Sequence, residues 1–172
     1  MKELLARLFR SWRKQPPPFR FSWVLQQELA IGPAPRTTAD WESLLRAGFR
    51  SRFSCCYPEE EQLCAPPPAA LVHGRCSLPD HREQEPLRKE QLNAAIQEAR
   101  QLQQGNPPLY LHCWAGQERS ALLAVALVSS SRQLSMLDSL LWVRRTHPAA
   151  SPLYPHLEKL EALLASGQGP AN

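Results

Sequence analysis

Long apolar runs and paired cysteine motifs are both missing from this chain of 172 residues. No stretch reaches the roughly 18 apolar residues of a membrane-spanning helix, so the sequence predicts no membrane span. The first residues lack the apolar core and the small-residue cleavage site of a signal peptide. The five cysteines are an odd number, which without a signal peptide favours a reducing compartment. We therefore expect a cytoplasmic protein.

Common ligand-binding motifs are absent as well. The sequence has no Gly-x4-Gly-Lys nucleotide motif and no His-Glu-x2-His zinc motif. Four cysteines lack paired metal-ligand spacing, so we expect no metal and no cofactor; they are Cys55, Cys56, Cys64 and Cys76. Each is expected to be an inert thiol, and whether one of them pairs with Cys113 on oxidation is left open.

Positive charge is concentrated in the first 20 residues. They hold six basic side chains and one acidic one, so the net charge of +4 becomes −1 over the rest of the chain. A nearly neutral body argues against nucleic-acid binding, which needs a clustered basic face. We expect a monomer with no nucleic-acid partner.

The basic arm over residues 1–20 is predicted to form an amphipathic helix followed by a linker. Its apolar side chains fall at helical spacing: Leu5, Leu8, Phe9 and Trp12. Such a helix either packs on its own domain or lies weakly on an anionic membrane surface. Pro16 to Pro18 are then predicted to form a short extended spacer. The remaining length suits one core, so we predict one domain over 21–166 and a flexible tail over 167–172.

Strand and helix patterns alternate along the predicted domain. Strands are predicted over 21–24, 29–31, 49–55, 71–77 and 109–111, and helices over 41–48, 86–105, 121–128, 135–145 and around 157–164. Residues 59–69 are predicted to be irregular, because three consecutive prolines interrupt them. Strands that alternate with helices predict an α/β sandwich.

The most informative segment runs from His112 to Ser120, between the last predicted strand and an apolar helix. Backbone N–H groups and the positive end of a helix dipole can receive a tetrahedral oxyanion there. Gly116 allows the backbone to turn its amides inward. The predicted phosphate-binding residues are Trp114, Ala115, Gly116, Gln117, Glu118 and Arg119.

The side chains of this segment suggest attack on phosphorus. A thiol near a helix N-terminus and a fixed cation is stabilised as the thiolate, which makes Cys113 the predicted nucleophile. Arg119 offers a planar fork that can hold two phosphoryl oxygens. Ser120 can donate its hydroxyl to the sulfur when the thiolate is regenerated, and His112 is expected to orient the loop and not to act as a base.

A second segment, Cys76 to Arg82, has the same spacing of a cysteine, five residues and an arginine. It contains Pro79 and no glycine, Glu83 follows it in place of a hydroxyl residue, and no apolar helix follows. The context therefore favours the loop at Cys113.

The match of residues 112–120 to His-Cys-x5-Arg-Ser/Thr resembles the signature of the cysteine-dependent protein tyrosine phosphatases, in particular their small dual-specificity branch. Asp80 lies 33 residues before Cys113, where that branch has its general acid, and Leu78 to Arg82 looks like its mobile acid loop. The chain looks most like bacterial, particularly cyanobacterial, members over roughly 23–164. The resemblance implies a central mixed, mostly parallel sheet flanked by helices in three layers.

The resemblance also implies an activity, the hydrolysis of phosphotyrosine and of phosphoserine or phosphothreonine in a phosphorylated protein. Cys113 would form a cysteinyl-phosphate, and Asp80 would act first as acid and then as base. Glu83 and Glu85 are weaker candidates for that acid. No metal is required, because Arg119 and the loop amides supply the electrostatic stabilisation.

Other functions stay open from the sequence. The chain could be a phosphate-recognition module without turnover, a sulfurtransferase of the rhodanese type, or a phosphatase acting on RNA 5′-phosphate or a phosphoinositide. Gln117 and Glu118, one neutral and one acidic, disfavour substrates with several phosphates, whereas the positive charge of Arg82 favours them. Trp114 is expected either to line the cleft or to pack on a neighbouring loop, and His81 is expected on the surface.

Overall fold

The computed structural model describes residues 19–83 and 85–166. They form one sheet whose strands are β1 (Ser22–Leu25), β2 (Leu29–Pro33), β3 (Ser51–Ser54), β4 (Val72–Arg75) and β5 (Leu109–Cys113). The strand order is β1-β2-β5-β3-β4. β1 runs antiparallel to β2, and all other neighbours are parallel. The predicted mixed, mostly parallel sheet is confirmed, whereas the predictions for residues 1–18 and 167–172 lie outside the described residues.

The helices connect these strands. They are α1 (Thr38–Arg46), α2 (Pro58–Glu61), α3 (Lys89–Gly105), α4 (Arg119–Arg132), α5 (Met136–Thr146) and α6 (Tyr154–Ala165). Ser135 caps α5 as its sequence predicts, since its side chain accepts a hydrogen bond from the Asp138 N–H at 3.1 Å.

Two predictions of local structure are wrong. The segment predicted to be irregular from residue 59 contains most of α2, because Pro58 and the acidic residues after it suit the first turn of a helix. The helix predicted from Pro86 begins at Lys89. Leu87 is buried in the core and Arg88 is extended, so the chain packs this leucine before it turns into α3.

Side chains of β5 divide the core between the two faces of the sheet. Leu109 and Leu111 belong to the larger cluster, which α3, α4, α5 and α6 cover. Tyr110, between them, faces the other way into an aromatic cluster with Trp41 of α1 and Phe49. Because β5 is the middle strand, its carboxyl end lies at the centre of the sheet edge, where parallel α/β sheets bind ligands.

α4 is the central helix of the larger cluster. All residues from Arg119 to Ser129 are buried. Within the described ranges, no single helix is long and apolar enough to cross a membrane; α4 and α5 meet the criteria of length and composition only as a pair bent by 117°.

Candidate active site

The phosphate loop, defined as residues 113–119, leaves the carboxyl end of β5 and enters α4. Three of its carbonyl groups accept hydrogen bonds from outside the loop. The Ala34 N–H donates to the Trp114 carbonyl at 3.3 Å, and the His147 ring donates to the Gly116 carbonyl at 3.0 Å. The Ser151 N–H donates to the Gln117 carbonyl at 2.8 Å.

These contacts turn the loop amides inward. In a planar trans peptide the N–H points opposite to the carbonyl of the preceding residue. The outward carbonyls therefore aim the N–H groups of Ala115, Gln117 and Glu118 into the loop, which makes a cradle for an oxyanion. Hydrogen bonds from three other segments of the chain thus hold the loop amides in the predicted inward orientation.

His147 connects the phosphate loop to the edge strand of the sheet. Its Nε2 contacts the Gly116 carbonyl, so that nitrogen carries the proton, and its Nδ1 accepts from the Ser22 hydroxyl at 2.8 Å. Burial lowers the pKa of His147, although the Gly116 carbonyl opposes the shift. The ring therefore acts as a neutral bridge, which the sequence did not indicate.

Gly116 has a left-handed backbone conformation, with φ of +74°. A Cβ at this position would overlap backbone atoms of Gly32 and Pro33. Both the conformation and the close approach to β2 require glycine here.

Cys113 is buried at the base of the loop, with 2% of its surface exposed. Its Sγ lies 3.4 Å from the Oγ of Ser120, which is fully buried in the first turn of α4. The structure therefore brings the predicted nucleophile and the predicted hydroxyl donor into contact.

Arg119 is buried beside the thiol, with 2% of its side chain exposed. Its Nη1 donates to the Cys55 carbonyl at 3.3 Å, and both terminal nitrogens donate to Glu60, at 2.7 and 2.9 Å. Burial alone would lower the pKa of Arg119, but the bonds to Glu60 outweigh this effect and the guanidinium stays charged. Among the described residues its Nε–H has no hydrogen-bond partner, so this donor is available to a ligand.

Glu60 is a site residue that the sequence analysis missed. Burial would raise the pKa of its carboxyl, but hydrogen bonds from Arg119, Tyr57 and Arg82 lower it. The available signal was Pro58 followed by three glutamates, which is typical of a helix start. That pattern predicts α2, but it does not predict that one of its carboxylates reaches an arginine 59 residues away.

Asp80 faces this arginine from the acid loop, defined as residues 78–82. Its Oδ2 lies 3.2 Å from Arg119 Nη2 and 2.5 Å from Arg82 Nη2. Burial would raise the pKa of Asp80, but the bonds and charges of Arg82 and Arg119 lower it below its ordinary value. Asp80 lines the same cleft as Cys113, whereas the alternatives Glu83 and Glu85 do not.

A second residue pair, besides Asp80 and Arg119, fastens the acid loop to the phosphate loop. Glu118 accepts a hydrogen bond from His81 Nδ1 at 2.7 Å and another from the His81 N–H at 3.2 Å. His81 is exposed as the sequence predicts, with 63% of its side chain accessible, yet it holds the two loops together.

Trp114 combines the two environments predicted for it. Trp114 is one of the residues that line the cleft, and the Arg36 guanidinium lies 4.2 Å from the centroid of its ring. One tryptophan thus forms a wall of the cleft and packs on the loop after β2.

His112 lies behind the loop and does not face the cleft. Arg52 Nη1 lies 3.3 Å from its Nε2, so that nitrogen must accept and the proton belongs on Nδ1. Burial, with the charges of Arg52 and Arg119, holds the pKa of His112 well below its usual range. Its backbone carbonyl accepts from the Cys55 N–H at 2.8 Å. This environment is unsuitable for a base and suits the predicted orienting role.

Over the described residues, two groups of side chains have the composition of a metal site, but an arginine already contacts a carboxylate of each. One group is Cys56, Glu61 and His112, and the other is Asp80, His81 and Glu118. Arg52 contacts Glu61 at 3.1 Å and also His112, while Arg82 contacts Asp80. Burial raises the pKa of Cys56 to about 12, so its thiol is protonated. A cation at either place would meet a fixed positive charge.

Comparison with known proteins identifies the fold. No protein-family model and no curated protein sequence matches the chain. A mouse putative dual specificity phosphatase complexed with zinc tungstate has 23% identity, with a TM-score of 0.70, covering 93% of this chain and 97% of that chain. PTPMT1 in complex with PI(5)P has 17% identity and a TM-score of 0.72, covering 85% of this chain and 95% of that one. The human tyrosine phosphatase-like serine/threonine/tyrosine-interacting protein has 16% identity and a TM-score of 0.72, covering 86% and 97% respectively.

The chain therefore has the fold of the dual-specificity and tyrosine-phosphatase-like proteins, which confirms the fold that the sequence resemblance implies. The bacterial branch stays a prediction.

Proposed function

We propose that this chain is a cysteine-dependent phosphatase that removes the phosphoryl group from phosphotyrosine, and from phosphoserine or phosphothreonine, in a phosphorylated protein. The observation that carries the proposal is the convergence of three groups on one cleft. They are the Cys113 thiol, the buried guanidinium of Arg119 with its free Nε–H, and the Asp80 carboxyl group. The phosphatase fold supports the same conclusion.

The first step uses each of these groups. The loop amides and Arg119 hold the phosphoryl oxygens and stabilise the charge that spreads over them in the transition state. The Cys113 thiolate attacks phosphorus, and the bond from phosphorus to the ester oxygen breaks. Asp80 in its protonated form gives its proton to the departing oxygen. The product is a cysteinyl-phosphate and a free alcohol or phenol.

The second step restores the enzyme. Water attacks the phosphorus of the cysteinyl-phosphate, and the Asp80 carboxylate accepts a proton from that water. The sulfur departs as the thiolate, to which the Ser120 hydroxyl can donate a hydrogen bond across 3.4 Å. Inorganic phosphate is released.

The walls of the cleft favour a substrate with one phosphate. The cleft has a volume of about 140 Å³, and Trp114 offers an aromatic wall for the ring of phosphotyrosine. Positive and negative side chains around it balance: Arg36, Arg82 and Arg119 against Glu60, Asp80 and Glu118. This balance leaves little net positive charge for a second phosphate.

A phosphoinositide is the second candidate substrate, because the structurally similar PTPMT1 was solved in complex with PI(5)P. The likeness to a phosphatase-like interacting protein likewise keeps phosphate recognition without turnover as an alternative. Measurement of activity separates these candidates.

The test is hydrolysis of p-nitrophenyl phosphate by the full chain, with reductant and a metal chelator present. We expect turnover by the wild type, none by Cys113→Ser, and normal turnover by Cys76→Ser, a control at a cysteine outside the phosphate loop. An inactive wild type that binds vanadate would indicate a recognition module, and thiosulfate:cyanide activity would indicate a sulfurtransferase. An active enzyme is then compared on phosphotyrosine peptides, phosphoserine peptides and phosphoinositide vesicles.

A further inference from the structure

Four charged side chains close a ring beside the cleft. Arg119 donates to Glu60, Arg82 donates to Glu60 at 2.7 Å and to Asp80 at 2.5 Å, and Arg119 Nη2 lies 3.2 Å from Asp80 Oδ2. The signs of charge alternate around this charge ring, which consists of Arg119, Glu60, Arg82 and Asp80. Both guanidinium groups therefore bind the same two carboxylates.

The charge ring conflicts with the role of Asp80 as an acid. Burial would raise the pKa of Asp80, but the two arginines lower it. The side chain is therefore a carboxylate in the ligand-free protein, and a carboxylate cannot protonate a leaving group. Asp80 must lose part of this stabilisation when substrate binds.

Arg82 is the most exposed member of the charge ring, so its side chain is the one with room to leave it. Its side chain is 52% exposed, whereas that of Arg119 is 2% and that of Glu60 is 12% exposed. Arg119 is further fixed by the Cys55 carbonyl and by its place in the first turn of α4. Arg82 also lines the same cleft as Cys113, so its long side chain borders the space that a phosphoryl group would occupy.

We propose that Arg82 exchanges the Asp80 carboxylate for the phosphoryl group when substrate binds, and that this exchange lets Asp80 take up the proton that it later donates. The inference rests on the proposed phosphatase function and adds Arg82 to the phosphate-binding residues. A phosphoryl group with two negative charges competes well with one carboxylate for a guanidinium fork. Asp80 takes its proton from solvent, and no bond between heavy atoms forms or breaks in the exchange.

Charged and titratable groups face Asp80 from its own loop, from α2, from α4 and from the phosphate loop. They are Arg82 on its own loop, Arg119 on α4, Glu60 and Tyr57 at α2, and Cys113 and Glu118 on the phosphate loop. After the exchange a dianion lies beside Asp80, Glu60 keeps its negative charge, and the charge of Arg119 is shared with the phosphoryl oxygens. A negative environment favours the protonated carboxyl, so the pKa of Asp80 rises in the complex.

The experiment measures the titration of Asp80 with and without a bound oxyanion. The full chain carrying Cys113→Ser is labelled with ¹³C in its aspartate carboxyl groups, and Asp80→Asn assigns the signal. Tungstate is the oxyanion probe, and it is added only near neutral pH, because in acidic solution it takes up protons and condenses into polytungstates. We expect tungstate to raise the pKa of Asp80, with net proton uptake in calorimetry across buffers of different ionisation enthalpy.

Arg82→Gln in the Cys113→Ser background tests the exchange itself. The variant loses a charge-assisted contact to the oxyanion, so we expect tungstate affinity to fall roughly tenfold or more. Without ligand, the pKa of Asp80 should already be higher in this variant than in the parent protein. Tungstate should therefore raise that pKa by less. Arg46→Gln, on the exposed surface of α1, is the matched control and should change neither quantity.

Two results would overturn the inference. If tungstate leaves the pKa of Asp80 unchanged, Arg82 stays bound to Asp80. This measurement needs no Arg82 variant. Unchanged tungstate affinity in a folded Arg82→Gln protein would mean that Arg82 does not bind the oxyanion. Failure of the Cys113→Ser protein to bind tungstate at all would instead count against the proposed phosphatase function.

Discussion

Glu60 holds the guanidinium of Arg119 with two hydrogen bonds, of 2.7 and 2.9 Å, across 59 residues of sequence. The pair fixes the orientation of the guanidinium. Among the described residues, no acceptor takes a hydrogen bond from the Nε–H of Arg119. A short helix next to β3 thus orients the main cation of the phosphate loop.

Replacement of Glu60 by glutamine should impair this orientation. The buried guanidinium would lose its ionic partner, which is costly because solvent cannot replace it. We expect kcat/KM for p-nitrophenyl phosphate to fall by roughly tenfold or more, with weaker vanadate binding. Glu59→Gln, one residue away and exposed, is the control. Equal activity of the two variants would show that Arg119 needs no such support.

A second prediction concerns Gly116. Alanine there combines a left-handed φ with overlap against Gly32, so the phosphate loop cannot keep its shape. We expect kcat/KM to fall by about 10²-fold or more, since small displacements of reacting groups have effects of that size. Gly48→Ala is matched in backbone conformation, with φ of +88°, but meets no neighbouring atoms. It should lower the free energy of unfolding by about 1 kcal/mol and keep activity.

The link between the two loops gives a third prediction. Glu118→Ala removes both acceptors of His81, so the acid loop should spend less time over the cleft. We expect kcat to fall by roughly 3- to 10-fold with a smaller change in KM. Glu83→Ala, at an exposed position just after the acid loop, should be active. A change in KM alone would indicate that Glu118 acts on substrate binding and not on the acid loop.

Acid should weaken the fold through the same carboxylates. The pKa values of Asp80 and Glu60 are lower in the folded protein than their ordinary values. Their contribution to the free energy of unfolding is therefore complete above those ordinary values, near pH 4, and is lost as the pH falls through the folded-state values. Urea unfolding between pH 6 and pH 3, followed by fluorescence, should show this loss. The Glu60→Gln and Asp80→Asn double variant should show a smaller dependence on pH; an identical dependence would assign the loss to other groups.

Local signals in the sequence were sufficient for much of the fold. The alternation of strands and helices predicts the α/β layers, and the flanks of His112 to Ser120 place that loop between a strand and a helix, where the structure has it. These predictions succeed because hydrophobic period and helix caps depend on residues close in sequence. The start of α3 was misplaced because burial of Leu87 depends on distant partners.

Contacts between distant segments explain what the sequence did not reveal. Glu60 lies in a segment predicted to be irregular, and His147 lies where only the end of a helix was predicted. Nothing near either residue indicates that it reaches the phosphate loop. Their partners are fixed by the parallel register that sets β3 beside β5, and by the packing of α5 on the sheet.

By itself the sequence determined which reactive groups the protein has. They are a cysteine, an arginine and a hydroxyl in one glycine-containing loop, with an aspartate upstream. Only the tertiary structure decided the electrostatic state of those groups. Charge depends on distance and burial, and the charge ring joins side chains from α2, the acid loop and α4. That is why Asp80, read from the sequence as an acid, is held as a carboxylate in the folded protein.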